Sequence, residues 1–239
     1  MTEKRIPSTR STTLTIAFVT WLRILRRRAL WVSMVIAAMP VLYAGAMMSL
    51  IGSGERSSPV SGDLFAIELL VLALLAPMFV ATAIGEEVED RTTTYLWSRP
   101  IARWSVLAGK LLTLVPLMIV LVSASWSLAG WIAWDRLPPM QTYSALAACA
   151  LAMSLVATGI ASLSPKHGMA LTIVYLLFFD FPLGVLPQTL REMSLGHQVR
   201  TLSGMFPDES GLLSAAISLV AIALVWTVVA ALRVRRIEA

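Results

Sequence analysis

Polar and apolar residues in this chain are sorted into long alternating blocks. Runs dominated by Leu, Ala, Val and Met occupy residues 29–51, 64–84, 111–134, 143–163, 169–186 and 211–232, and most of the charge lies between them. A helix rises about 1.5 Å per residue and the hydrocarbon of a bilayer is about 30 Å thick, so each run is close to the length that crosses it. In hydrocarbon every backbone amide needs a partner within the protein, which leaves helices or closed barrels, and none of these runs has the period-2 alternation of a barrel strand. The pattern predicts an all-α integral membrane protein of six transmembrane helices. The fifth run is short and contains Asp180 and Pro182, which predicts a break there and a turn toward a partly buried segment. If it did not cross, the carboxy-terminal Arg233, Arg235 and Arg236 would fall on the side poor in basic residues.

Ahead of the first run, Leu14, Ala17, Phe18, Trp21, Leu22 and Leu25 share one helical face, while Arg23, Arg26 and Arg27 supply charge elsewhere. That spacing predicts an amphipathic helix lying in the membrane interface; the plain alternative is a basic extension of the first span. The expected organisation is a basic tail and interfacial helix over 1–28, a six-helix domain over 29–232 and a short tail over 233–239. A connecting loop over 85–110 and an amphipathic external loop over 187–210 interrupt the domain.

Composition sharpens this. Of 239 residues, 57% are hydrophobic and 14% charged, which leaves no stretch polar enough to fold separately in water. With the amino terminus inside, 15 of the 19 Lys and Arg fall on the inner side, and Arg56, Arg136, Arg191 and Arg200 on the outer. The positive-inside rule then places both ends in the cytoplasm, and a bacterial inner membrane is the expected location. The basic residues flank apolar runs, so the net charge of +5 speaks for a membrane surface and against a nucleic-acid partner. Cys149, the only cysteine, lies within an apolar run, so no intrachain disulfide or cysteine cluster is possible, and two separated histidines predict no metal site.

The most informative polar block is GEEVEDRTTTYLWSRPIARWSVLAGK, residues 85–110. Glu86, Glu87, Glu89 and Asp90 suit the start of a helix, and Pro100 restricts Arg99 to extended geometry, so a short helix, a turn and then the third span are expected. The block resembles the cytoplasmic loop of permease subunits of type-2 ATP-binding-cassette (ABC) exporters, through Glu87, Glu89, Thr92, Leu96, Trp97, Pro100, Ile101, Arg103, Gly109 and Lys110. Arg91 stands where that family often has Gly. The resemblance implies a coupling helix that docks on a separate cytoplasmic ATPase subunit, with Glu86, Glu87, Glu89, Arg91, Thr92, Tyr95, Arg99 and Arg103 as contacts. It further implies a homodimer or pseudo-dimer with the substrate pathway between the copies, and short re-entrant helices in the 187–210 region. No phosphate-loop motif is present, so ATP and Mg are expected on the partner and no cofactor on this chain.

Two other classes share some of these residues. Glu86, Glu87 and Arg91 also form E-E-x-x-x-R, as in intramembrane proteases resembling CAAX-processing enzymes, but the chain has no Asn, and His167 and His197 fall in loops on opposite sides. A non-transporting anchor or assembly factor that recruits a protein through 85–103 is the third reading. Within or near the spans, Glu68, Asp180 and Arg191 are candidate pathway or latch residues. An acid in lipid costs several kcal/mol unless it meets protein or water. Glu68 is placed near the headgroups, within reach of water, and Asp180 at a helix kink or paired with Arg191. Ala148, Ala157, Gly159 and Ala161 allow close helix approach, and Trp97, Trp104, Trp131 and Trp134 are read as interfacial anchors.

Overall fold

The structure, a computed structural model, describes residues 9–25, 28–51, 59–89, 103–184, 186, 188–205 and 211–236. Among these residues the ordered elements are all helical. Five helices are long and apolar enough to cross a membrane: Leu30–Leu50, Ser61–Gly85, Val106–Trp134, Met140–Leu163 and Gly211–Arg233.

Helix α1 (Thr9–Leu25) lies across the start of the third of these. Gly109 makes this possible, because a Cβ there would stand 2.8 Å from the Thr13 carbonyl oxygen, and the Thr113 hydroxyl donates to the Ala17 carbonyl at 2.9 Å. Leu14, Phe18, Trp21 and Leu22 form an exposed apolar stripe away from that contact. The first span is built from α2 (Arg28–Ala37) and α3 (Met39–Ile51). Pro40 removes one amide from the ladder, yet the helix continues because Ala38 N–H bonds Met34 O and Leu42 N–H bonds Ala38 O.

The second span joins α4 (Pro59–Ala76), a π-helical stretch Pro77–Ala81 and α5 (Thr82–Glu89). Pro77 cannot donate to the preceding turn, and the widened turn absorbs the missing bond. Helix α6 (Arg103–Trp134) runs 32 residues, about 48 Å, longer than a bilayer's hydrocarbon. A tight turn with Asp135 at φ 56° leads through Pro138 and Pro139 into α7 (Met140–Leu163). The second and fourth spans are the centre of the bundle, each 72% buried, whereas the first, third and last are 22, 39 and 17% buried and turn apolar faces outward.

Trp126, fully buried on α6, locks this centre. Its indole N–H donates to the Thr142 hydroxyl at 2.8 Å, and its ring meets Phe65 and Trp134 edge-on at 5.5 and 5.7 Å between centroids. Trp134 thus combines a half-buried packing role with the rim position expected of it, while Trp131 stays exposed.

The remaining run is not a single long helix. Helix α8 (Gly168–Val174), a π-helical stretch Tyr175–Asp180 and α9 (Phe181–Leu183) form a continuous segment of about 24 Å. The fifth of the six expected spans is therefore not one full-length helix, and the chain completes that crossing only with the helix that ends at Leu202 beside Gln141. Beyond it come the single turn α10 (Gln188–Arg191) and α11 (Leu195–Leu202). Gly168 packs against Ala161 at one end of α7, while Gln141 at the other end donates to the Leu202 carbonyl at 3.0 Å. The 168–183 segment therefore climbs antiparallel to α7, and α11 fills the part of the layer that it leaves uncovered. Last, α12 (Gly211–Arg236) starts at Gly211 with φ 73° and packs along α7, where Gly159 admits the Trp226 ring.

Candidate functional site

At the end of the bundle that holds the 85–110 block, α5 carries Glu86, Glu87 and Glu89 at its close, and α6 opens at Arg103. The acids expected to begin a new helix instead end one that runs on from the second span, because the π-helical stretch passes directly into Thr82. Asp90, Arg91, Thr92, Tyr95 and Arg99 lie outside the described residues. What the structure does show is how the two arms flanking that block are braced. Gly85 closes on the turn after α7, where a Cβ would stand 2.8 Å from the Pro165 carbonyl oxygen. Lys110 is nearly buried on α6, and its ammonium donates to the Ala83 carbonyl on α5. A buried ammonium is costly without a partner, so this bond ties the second span to the third. Docking of α1 at Gly109 and Thr113 adds a third element to the same corner. In the sequence Lys110 stands only as part of a Gly-Lys motif, and the one hint of its burial is that it borders an apolar run.

Glu68 departs from expectation. It is 0% exposed and does not reach water; Ser125 on α6 donates to its Oε2 at 3.2 Å, while Oε1 has no hydrogen-bond partner. Position near a span's end suggested access to water, but α4 is central, and α6 and α7 cover the level at which Glu68 sits.

Asp180 is 2% exposed, at the end of the π-helical stretch. Its Oδ1 accepts from Leu195 N–H at 2.7 Å and its Oδ2 from Gly196 N–H at 3.1 Å. Its own carbonyl accepts from the Ser194 hydroxyl at 2.9 Å and from Gly184 N–H at 3.2 Å. Ser194 is the N-cap of α11 and also accepts from His197 N–H. The first amides of a helix lack internal partners and carry partial positive charge, so a carboxylate satisfies them favourably. Sequence reading proposed Arg191 for this acid; the structure brings Asp180 to the first turn of α11, with Arg191 half-buried on the preceding turn. Arg200, one helical turn on from Gly196, lays its guanidinium over the Phe181 ring at 5.8 Å. The amides of 195 and 196 carry no side-chain signature in the sequence.

Glu68 and Asp180 are thus polar points within the helical layer, each held by a different neighbour. His167, beside Gly168, and His197, on α11, stand near different ends of α7 and do not combine into one site. The fold is that of a polytopic helical membrane protein. Residues 21–182 match the family described as ABC-2 family transporter protein, and the chain belongs to that family as a permease component of an ABC transporter. No curated protein matches the chain significantly. The family match spans Glu86, Glu87 and Arg91, which places the E-E-x-x-x-R run inside a transporter domain.

Proposed function

We propose that the chain is the permease of an ATP-driven exporter, paired with a second copy and driven by two cytoplasmic ATPase subunits that supply ATP and Mg. The observation that carries this reading is the family match together with the braced corner around residues 85–110. A lever must be stiff where it meets its load. Here the arms entering and leaving the acidic and basic block are tied to each other by Lys110, to the 164–168 turn by Gly85 and to α1 by Thr113, so a push on the block moves several helices together. Glu86, Glu87, Glu89, Arg91, Thr92, Tyr95, Arg99 and Arg103 are the proposed contacts with the ATPase. The bias of Lys and Arg puts this corner, both termini and α1 on the cytoplasmic side, where the apolar stripe of α1 enters the interface.

The test is purification in mild detergent with mass determination of the complex. A complex of two permease copies and two ATPase subunits is expected. Charge reversal at Glu87 together with Arg103 should abolish association and ATP-dependent transport. Intact association and transport in that double variant would refute the coupling assignment.

A further inference from the structure

The link between Asp180 and α11 has a geometry that assigns it a further role. Leu202 at the end of α11 stands beside Gln141, and seven residues earlier the helix starts, about 10 Å deeper. Eight residues into α7 from Gln141, about 12 Å deeper, is Cys149, which is fully buried. So α11 is a re-entrant helix lying antiparallel to α7, and its first turn is seated at the level of Cys149 by one residue, Asp180, through its carboxyl and carbonyl groups. The segment that carries that carboxyl group is itself irregular: a π-helical stretch ends at Asp180 and Pro182 follows two residues later. Polar bonds are concentrated at that one point, where the Asp180 carboxyl and carbonyl groups hold Ser194, Leu195 and Gly196. The rest of the buried face is mixed: Leu195 and Val199 are apolar, Gln198 and Thr201 bond locally to the Glu192 and His197 carbonyls, and Gln141 holds the far end.

We infer that Asp180 is the positioning residue that seats α11 in the outer third of the layer and thereby keeps the outer side closed above Cys149. "Outer" here rests on the orientation proposed above; the link itself does not. When the carboxyl group is lost, α11 keeps its own helix, its N-cap and the Ser194 bond to the Asp180 carbonyl but loses the two bonds to its first amides, and the level of Cys149 opens to water.

Cys149 reports on this directly, being the only cysteine of the chain. The experiment measures its labelling by a membrane-impermeant thiol reagent, in intact cells and in inverted vesicles, with the full permease in its native complex. The variants are Asp180→Ala, Asp180→Asn, Leu195→Pro and Leu195→Ala. Proline is well tolerated at the first position of a helix, and Ser194 already has the extended backbone, φ −85° and ψ 127°, that a following proline requires. Leu195→Pro therefore deletes one of the two amides that bond the carboxyl group, and Leu195→Ala controls for the lost side chain.

Labelling from the outside should rise about tenfold or more in Asp180→Ala, the factor expected when a hydrogen bond to a charged group is lost. Leu195→Pro should label faster than Leu195→Ala, and Asp180→Asn, which keeps one acceptor, should fall between Ala and the parent protein. Unchanged labelling in both Asp180→Ala and Leu195→Pro would overturn the assignment, as would an equal rise from both sides, which would mean general loosening. A rise confined to inverted vesicles would uphold the seat and overturn the proposed orientation instead.

Discussion

Glu68 and Ser125 form a pair whose two members should respond oppositely to removal. Replacing Ser125 by Ala deletes the hydroxyl that donates to Glu68 at 3.2 Å and leaves both oxygens of a 0% exposed acid without a partner. Stranding a buried polar group costs about 1–3 kcal/mol, and side-chain hydrogen bonds between membrane helices average about 0.6 kcal/mol, so a loss of about 1–2 kcal/mol is expected. Replacing Glu68 by Met keeps nearly the same length and volume while removing the acid and its orphan oxygen. Exchanging a poorly satisfied buried ionisable group for an apolar one is often neutral or stabilising, so Glu68→Met should lie between no change and a gain of about 1 kcal/mol. In the Glu68→Met background, Ser125→Ala should then cost less than about 0.5 kcal/mol, a non-additivity of about 1 kcal/mol. Equilibrium unfolding in mixed micelles, followed by fluorescence of the eight tryptophans, reads all four proteins. The reasoning fails if Glu68→Met costs more than about 2 kcal/mol, or if Ser125→Ala costs the same in both backgrounds, since either result would mean that Glu68 is held by something other than this hydroxyl.

Four further outcomes follow from the packing. A Cβ at Gly159 would stand 2.6 Å from the Trp226 ring and 3.0 Å from its carbonyl oxygen, so Gly159→Ala should destabilise by about 1–3 kcal/mol. Gly45 meets nothing within 4 Å, so Gly45→Ala should be neutral or stabilising by up to about 1 kcal/mol in the same unfolding assay. Thr113→Val removes the hydroxyl that holds the Ala17 carbonyl and should free α1 locally, seen as faster hydrogen exchange over residues 9–25 with global stability changed by less than about 1 kcal/mol. Trp126→Phe loses the bond to Thr142 and part of the ring that fills the space between Phe65 and Trp134, and should cost about 2–3 kcal/mol.

Much of this architecture was legible in the order of residues, because the bilayer imposes a strict code on composition. A helix that crosses hydrocarbon must be apolar for about 20 residues, and no tertiary contact relaxes that demand for its lipid-facing side. Five of the six predicted spans, α1 with its apolar stripe and the close approach at Gly159 and Ala161 followed from local pattern, whereas the acids at 86, 87 and 89 end α5 instead of beginning a new helix. The break near Pro182 was foreseen for the same local reason, since proline removes an amide wherever it occurs. What the pattern could not carry was the distinction between protein-facing and lipid-facing surface, because Leu serves equally well against either. Hence the central place of α4 and α7 was decided only by packing, and with it the enclosure of Glu68, which its distance from the span's end had placed near water. The partner of Asp180 was likewise a tertiary outcome: the groups that satisfy it are backbone amides, which every residue but proline possesses, and only the path of the chain from 183 to 195 determined which of them it would meet.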